Sequence, residues 1–404
     1  MIADAVAAIL LASITLYATL GGADFGAGLW DLLGGGDTRG RYPRQLIDES
    51  ITPVWEANHV WLIFALVIFW TGFPIAFAAV MTAAALPIWL AVLGIVLRGS
   101  GFAFRKEAQG LRMQRFLGAV FAFSSLLTPF FMGTVIGGIA AGRISATATH
   151  ATLSVWTGPL SLLTGFLFVS ACAYLAAAYL TVEAVRRNDQ RLQIYFTRRA
   201  QAAGVVTGAL SLATLAELHS AALALFRPLT GRALPLVVVA GVSGLALLVL
   251  LTIGRVGPPV VTRFLAALAV AAVVWGWGVA QYPVLLPGTG VTLTNAGAPH
   301  ATLVAIVVLF AALAVIVGPS FVLLFSLHGR MVLQGGGEMA LAGAGGGGGS
   351  GGGGGAGGSG GSAGAAGRPR GSSGRARSAS RAVALGLVAL GILVRGRTRR
   401  RPGR

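Results

Sequence analysis

In the stretch PVWEANHVWLIF, Pro53 to Phe64, a carboxylate, an amide and an imidazole fall within four residues, bracketed by two tryptophans. Glu56 and His59 are three apart, so on a helix they share a face; Trp55 and His59, four apart, are also neighbours. A carboxylate and an imidazole at successive depths can pass a proton along. Asn58 can hydrogen-bond between helices. Directly afterwards comes IFALVIFW, an almost purely apolar run. An ionisable residue at membrane depth is costly and marks a functional candidate by default. The chain has only 12 acids, and few of them fall in apolar surroundings: Asp24 in GGADFGAG, Glu56, and Glu217 with His219 close behind.

The elements that must position these groups are membrane spans. The 404 residues are 55% hydrophobic and 10% charged, against about 25% charged for a soluble domain. The net charge of +18 does not point to nucleic acid, because 11 of the 30 Lys and Arg lie between Arg368 and Arg404 and most others sit in short loops. Nine runs approach the roughly 20 apolar residues a span needs: 2–22, 53–73, 77–97, 116–140, 157–181, 200–225, 234–253, 262–281 and 301–327. The first lacks a basic leader and reads as a retained span. Cys172 lies in an apolar run and reads as a small core residue, with no internal disulfide. The sequence therefore predicts an all-α polytopic membrane domain over 1–333. A low-complexity tail over 334–404 follows, rich in Gly and Arg, whose composition predicts disorder. The apolar stretch 382–394 within it is short for a span.

Loop charges set the orientation. Alternate loops carry fifteen Lys and Arg on one side and three, Arg143, Arg227 and Arg232, on the other. That puts the N-terminus outside and the C-terminus in the cytoplasm. Span one then ends with Asp24 near the cytoplasmic surface. Glu56 starts span two about 5–8 Å inside the same surface, and span three ends there at Arg98. Asp24 and Arg98 are expected to pair directly or through one bridging group. The cluster has the form of a proton entry point into the membrane. It also suits a plainer reading: an acid favoured by a helix N-terminus, Asn58 and His59 bonding between helices, and tryptophans anchoring at the interface.

Glu217 and His219 lie in the outer half of span six and read as structural or surface residues. His59 and His219 sit near opposite faces and would not clamp one haem. His150, His300 and His328 fall in or beside loops. No CxxC, HExxH or phosphate-binding glycine loop occurs. Gly22, Gly26 and Gly28 lack a preceding strand, so they read as helix-packing positions rather than a dinucleotide fingerprint.

Four blocks resemble subunit II of the cytochrome bd-type quinol oxidases: GADFGAG with Asp24, ITPVWEANHVWLIF with Trp55 and Glu56, IVLRGSGFAFR with Arg98 and Arg105, and QYPVLLPGTGVTLTNAGAP before the last span. The resemblance runs from residue 1 to about 333. It implies a heterodimer with subunit I in the cytoplasmic membrane, each subunit two four-helix bundles plus one helix. Such a complex oxidises quinol and reduces dioxygen to water, building a proton gradient without pumping. The resemblance places the haem b and haem d type groups and the quinol-oxidising loop in subunit I. It leaves this chain with no catalytic residue, no metal and no cofactor beyond a structural quinone. Its expected partners are subunit I, quinol and membrane lipids, and the tail arginines are expected to associate with anionic lipid.

In the family, subunit II supports assembly, and its second-span acid lines a proton path. By position Glu56 falls on that acid, where many members carry aspartate, and Asp24 and Arg98 match the family's acid and arginine. The implied path is Glu56, His59 and Asp24, supported by Trp55, Arg98 and Asn58. The glycine-rich tail departs from the family pattern. Two other classes suit intramembrane acids: a secondary transporter or proton antiporter, which predicts broken helices near the midplane and inverted repeats, and a scaffold whose acids only pair with arginine.

Overall fold

The computed structural model describes residues 1–35, 40–51, 55–107, 110–253, 258–316 and 319; side chains at 51, 55–57, 105–107 and 111 fall outside that description. The first helix begins as α1 (Ile2–Leu16), passes through a π-turn at Tyr17–Gly21 and continues as α2 (Gly22–Leu32). Together they form one 31-residue apolar element. The sequence places the end of span one at residue 22, ahead of Asp24. The helix instead runs on, and Asp24 lies eight residues, about 12 Å, before its end. The glycines that the sequence reads as packing positions are where neighbouring helices come close. A Cβ on Gly26 would stand 1.9 Å from the Cys172 carbonyl oxygen, and one on Gly28 would stand 2.2 Å from Ser125 Oγ.

A short amphipathic helix, α3 (Arg41–Ile51), precedes α4 (Trp55–Gly72). At Phe73 the chain breaks, and α5 (Pro74–Ala83) leaves α4 at 117°. Pro74 cannot continue α4, having no N–H to donate, but it suits the first turn of a new helix. The third crossing is therefore α6 (Ala85–Glu107) rather than 77–97. Next come α7 (Leu111–Ala140), the single turn α8 (Ser154–Thr157), α9 (Pro159–Arg186), α10 (Gln190–Ala221), α11 (Leu223–Thr230), α12 (Leu234–Thr252) and α13 (Pro259–Gln281). These boundaries follow the predicted spans to within several residues, except that α10 begins ten residues early.

Between α13 and the last described helix, α14 (His300–Ile316), lies a two-stranded antiparallel ribbon: β1 (Val284–Leu286) and β2 (Val291–Thr292). Gly288 and Gly290, at φ of 80° and 74°, make its turn. Seven described helices are long and apolar enough to span, and α4 with α5 makes an eighth. The expected ninth span, 301–327, passes beyond the described residues, as does the predicted tail over 334–404.

Helices α9, α10, α12 and α13 close a ring, each packed on the next, and α7 packs on both α6 and α9. The core of the ring is small and apolar: Ala171, Ala173, Leu175 to Ala178, Phe196, Ala200, Leu247 and Ala266. Helix α2 lies against α7 and α9, with α1 against α4. Two of the three arginines on the sparse side of the charge pattern serve as carbonyl clamps. Arg143 donates to Ser154 O at 2.7 Å, and Arg232 donates to the carbonyls of Ala280 and Tyr282.

Candidate functional site: a buried acid, amide and arginine on three helices

Arg98 sits between Gly94 and Gly101 on α6, four and three residues away, so all three share one face. That face meets α7 closely: a Cβ on Gly94 would lie 2.3 Å from Thr128 Oγ1, and one on Gly101 would lie 3.1 Å from the Leu117 carbonyl oxygen. Between these small neighbours the Arg98 side chain enters the protein and is 2% exposed. Its Nη1 donates to Ser125 Oγ at 2.9 Å, and its Nη2 donates to the Asp24 main-chain carbonyl at 2.8 Å. Two rings flank the guanidinium, Phe25 at 4.7 Å and Phe121 at 4.9 Å. A weakly hydrated guanidinium tolerates such faces where an ammonium would not.

The Asp24 carboxylate takes a different partner. Asn58 Nδ2 donates to its Oδ2 at 2.5 Å and also approaches the Leu20 carbonyl at 3.4 Å. Asp24 and Asn58 are both buried. The expected Asp24–Arg98 pair is thus corrected in its form. Arginine holds the acid's backbone, the amide holds its carboxylate, and among the described residues no side-chain ion pair joins the two.

Asn58 belongs to the first turn of α4, and His59 follows it half-buried. The imidazole ring lies 6.3 Å from the rings of both Tyr17 and Phe25. Tyr17, Phe25 and Cys172 form a small buried cluster, with Trp61, Met132 and Phe168 packed around it. Glu56 and Trp55 fall in the same first turn of α4, and their side chains lie outside the described residues.

Sequence reasoning thus located Asp24, Asn58, His59 and Arg98, and the structure brings these four together. It missed Ser125 and Tyr17. The signal for Tyr17 was available: it stands seven residues, two helical turns, before Asp24. Ser125 lay within an apolar span where hydroxyls usually bond their own helix, as its Oγ also does to Phe121 O at 2.7 Å.

Other polar candidates do not join the cluster. His219 is exposed and packs edge-on against Phe226 at 4.9 Å, apart from His59, while Glu217 is contacted by Ser220 of its own turn. Among the described residues no three of His, Cys, Asp and Glu converge as a metal site.

A second charged region lies where α2, α3, α9 and α13 begin or end. Asp31 at the end of α2 accepts from Arg44 Nε at 2.9 Å. Glu183 is shared by Arg187 at 3.5 Å, Arg263 at 3.4 Å and Arg186 at 3.9 Å, and Arg187 also pairs with Glu49 of α3. Arg263 is in the first turns of α13.

Known proteins share this chain's sequence pattern and fold. The family model described as cytochrome bd terminal oxidase subunit II matches residues 2–328. The cytochrome bd ubiquinol oxidase subunit 2 of Bacillus subtilis (strain 168) is 27% identical over 168 residues, 41% of this chain and 49% of that one. The cytochrome bd-I ubiquinol oxidase subunit 2 of Escherichia coli (strain K12) is 27% identical over 199 residues, 47% and 50% of the two chains. The chain thus spans about half the length of the curated relatives it matches. In fold it is similar to a chain of the bd oxidase from Geobacillus thermodenitrificans, with a TM-score of 0.64 at 20% identity over 81% of this chain and 98% of that one. From the match across nearly all of its membrane domain, this chain belongs to the cytochrome bd terminal oxidase subunit II family.

Proposed function

We propose that this chain is the second subunit of a quinol:dioxygen oxidoreductase and lines a proton path into it from the cytoplasm. In this reading subunit I carries the haem b and haem d type groups and oxidises quinol, and this chain contributes assembly and proton supply. The relatives named for cytochrome bd ubiquinol oxidase support the complex. The uneven loop charge supports an N-terminus outside and a cytoplasmic C-terminus.

One observation carries the proton role: the Asp24 carboxylate is buried and bound by an amide, not by an arginine side chain. A direct ion pair would hold an acid as its anion. An amide donor with a cation one step away leaves it free to take and release a proton. In this path Glu56 receives the proton at the cytoplasmic edge, and Asp24 with Asn58 holds it at the next level. His59, next to Asn58 and three residues beyond Glu56 on α4, passes it on. Arg98 fixes the α2 backbone and supplies positive charge that discourages a proton from stopping there.

The break between α4 and α5 is the one feature that favours a transporter, since such proteins use broken helices. It lies about 22 Å along α4 from Asn58, too far to form a site with these acids.

The test is co-expression with a subunit I partner. The proposal expects the two to co-purify with haem, and Glu56→Gln to retain that haem while losing quinol-driven oxygen consumption. A chain that never acquires a haem-bearing partner would contradict it.

A further inference from the structure

Tyr17 is 4% exposed, and its hydroxyl, wholly removed from solvent, has no protein hydrogen-bond partner among the described residues. Buried hydroxyls in native proteins are nearly always satisfied, by protein or by ordered water. The local backbone is unusual at the same place. Tyr17 opens the π-turn Tyr17–Gly21, and single π-turns inside α-helices recur at functional sites. The carbonyls loosened by such a turn are covered from nearby. Thr19 Oγ1 donates to Thr15 O at 2.8 Å, and Asn58 Nδ2 approaches Leu20 O at 3.4 Å. The turn is thereby tied to the residue that binds the Asp24 carboxylate.

The turn also directs the ring. Side chains on a helix usually lean toward its N-terminus. The Tyr17 ring instead lies over Gly21, where a Cβ would stand 2.9 Å from two of its carbons. Only glycine leaves room for a ring laid this way, toward Asp24. Its centroid is then 6.3 Å from the imidazole of His59, on the neighbouring helix. Two hydrogen bonds through one water span about 5.5 Å.

We infer that Tyr17 is a further proton-relay residue, its hydroxyl holding a buried water between itself and His59, at the membrane-inward end of the cluster. The inference rests on the proposed proton path. The water accepts the proton that His59 gives up and is the group that hands it on. The tyrosine hydroxyl donates its hydrogen bond to the water, keeps its own proton and ends neutral and unchanged.

The experiment uses the assembled complex. Tyr17→Phe keeps the ring and its packing and removes only the hydroxyl. Turnover per haem should fall at least about tenfold, one tenth of the smallest effect, about a hundredfold, of a positioned proton-transfer group. The solvent isotope effect on turnover should rise as well, which a purely packing role would not produce. Glu56→Gln is measured in parallel. If Glu56→Gln loses turnover and Tyr17→Phe keeps wild-type turnover and isotope effect, Tyr17 is not in the relay although the path stands. If Glu56→Gln itself has wild-type turnover, the path reading fails. Should Tyr17→Phe not assemble, a high-resolution map of the wild-type complex decides. Density for a water within about 3.2 Å of Tyr17 Oη and in reach of His59 supports the inference, and a dry, tightly packed hydroxyl overturns it.

Discussion

Two regions of this molecule use the same residue types in opposite ways. Where α2, α3, α9 and α13 meet at their ends, acids and arginines pair directly: Asp31 with Arg44, Glu183 with three arginines, Glu49 with Arg187. In the interior, Asp24 and Arg98 stand on adjacent helices and keep their side chains apart. The exposed Glu49–Arg187 pair costs little desolvation and gains little, about 0–1 kcal/mol, while Asp31, as buried as Asp24, meets Arg44 directly. In the interior a bare ion pair must repay the removal of both charges from water. The protein divides that burden instead, giving the guanidinium a carbonyl, a hydroxyl and two ring faces, and the carboxylate an amide. The region at the helix ends ties elements together, and the cluster around Asp24 keeps an acid unneutralised by direct contact.

The sharpest way to break this comparison is to remove the buried cation. Arg98→Ala leaves the Asp24 carbonyl and Ser125 with buried hydrogen-bonding groups to satisfy, at about 1–3 kcal/mol each. It should lower the thermal midpoint of the complex strongly or prevent assembly, whereas Arg187→Ala at the surface should change stability by under about 1 kcal/mol. Equal effects would mean that the two regions do not differ as described.

A smaller effect comes from disturbing the packing that brings α2 to its neighbours. Gly26→Ala places a Cβ where the Cys172 carbonyl oxygen now stands. Overpacking of this kind costs about 1–3 kcal/mol. The loss should appear as a lower thermal midpoint, while Gly208→Ala, at an open position inside α10, should not lower it, since alanine favours the helix.

The smallest effect is a pH dependence at the surface. Burial alone would raise the Glu49 carboxyl, but hydrogen bonds from Arg187 and Gln45 and the Arg187 charge outweigh it and hold the group below its ordinary value of 4.5. A depressed acid stabilises the folded form above its unfolded pKa, and that contribution fades as pH falls through the lower folded value. Glu49→Gln should therefore cost under about 1 kcal/mol at neutral pH, after solvent screening, and less at pH 3. An equal deficit at both pH values would show that the loss is not electrostatic.

Much of the fold was legible because a membrane span announces itself by length and apolarity alone. Most helix boundaries from 111 onward follow the predicted spans. The misplacements are instructive. The end of span one was misjudged because the apolar run thins out at Gly21 to Asp24 while the helix continues to Leu32, with Gly26 and Gly28 serving the close packing expected of them. The start of span three was misjudged because hydropathy runs straight through Pro74 and cannot register a 117° bend. The ribbon at 284–292 escaped notice although PGTG signals a turn.

In the site, Asp24, Asn58, His59 and Arg98 were readable as ionisable or polar groups at matching depth. Their actual partners were not. Whether an arginine meets a carboxylate or the carbonyl behind it depends on side-chain geometry, which spacing does not encode. Tyr17 was hidden because an aromatic residue in an apolar span looks like core until its hydroxyl is traced.

The most direct test of the central claim is turnover per haem in an Asp24→Asn variant of the assembled complex. Asparagine preserves the shape, the main-chain carbonyl that Arg98 holds and an oxygen for Asn58, and removes only the titrating proton. If the buried acid carries protons, oxygen consumption should fall by about 100-fold or more, the scale of a positioned acid–base group, with haem content and subunit association unchanged. Wild-type turnover in that variant would contradict the account and leave the cluster as a structural joint between helices.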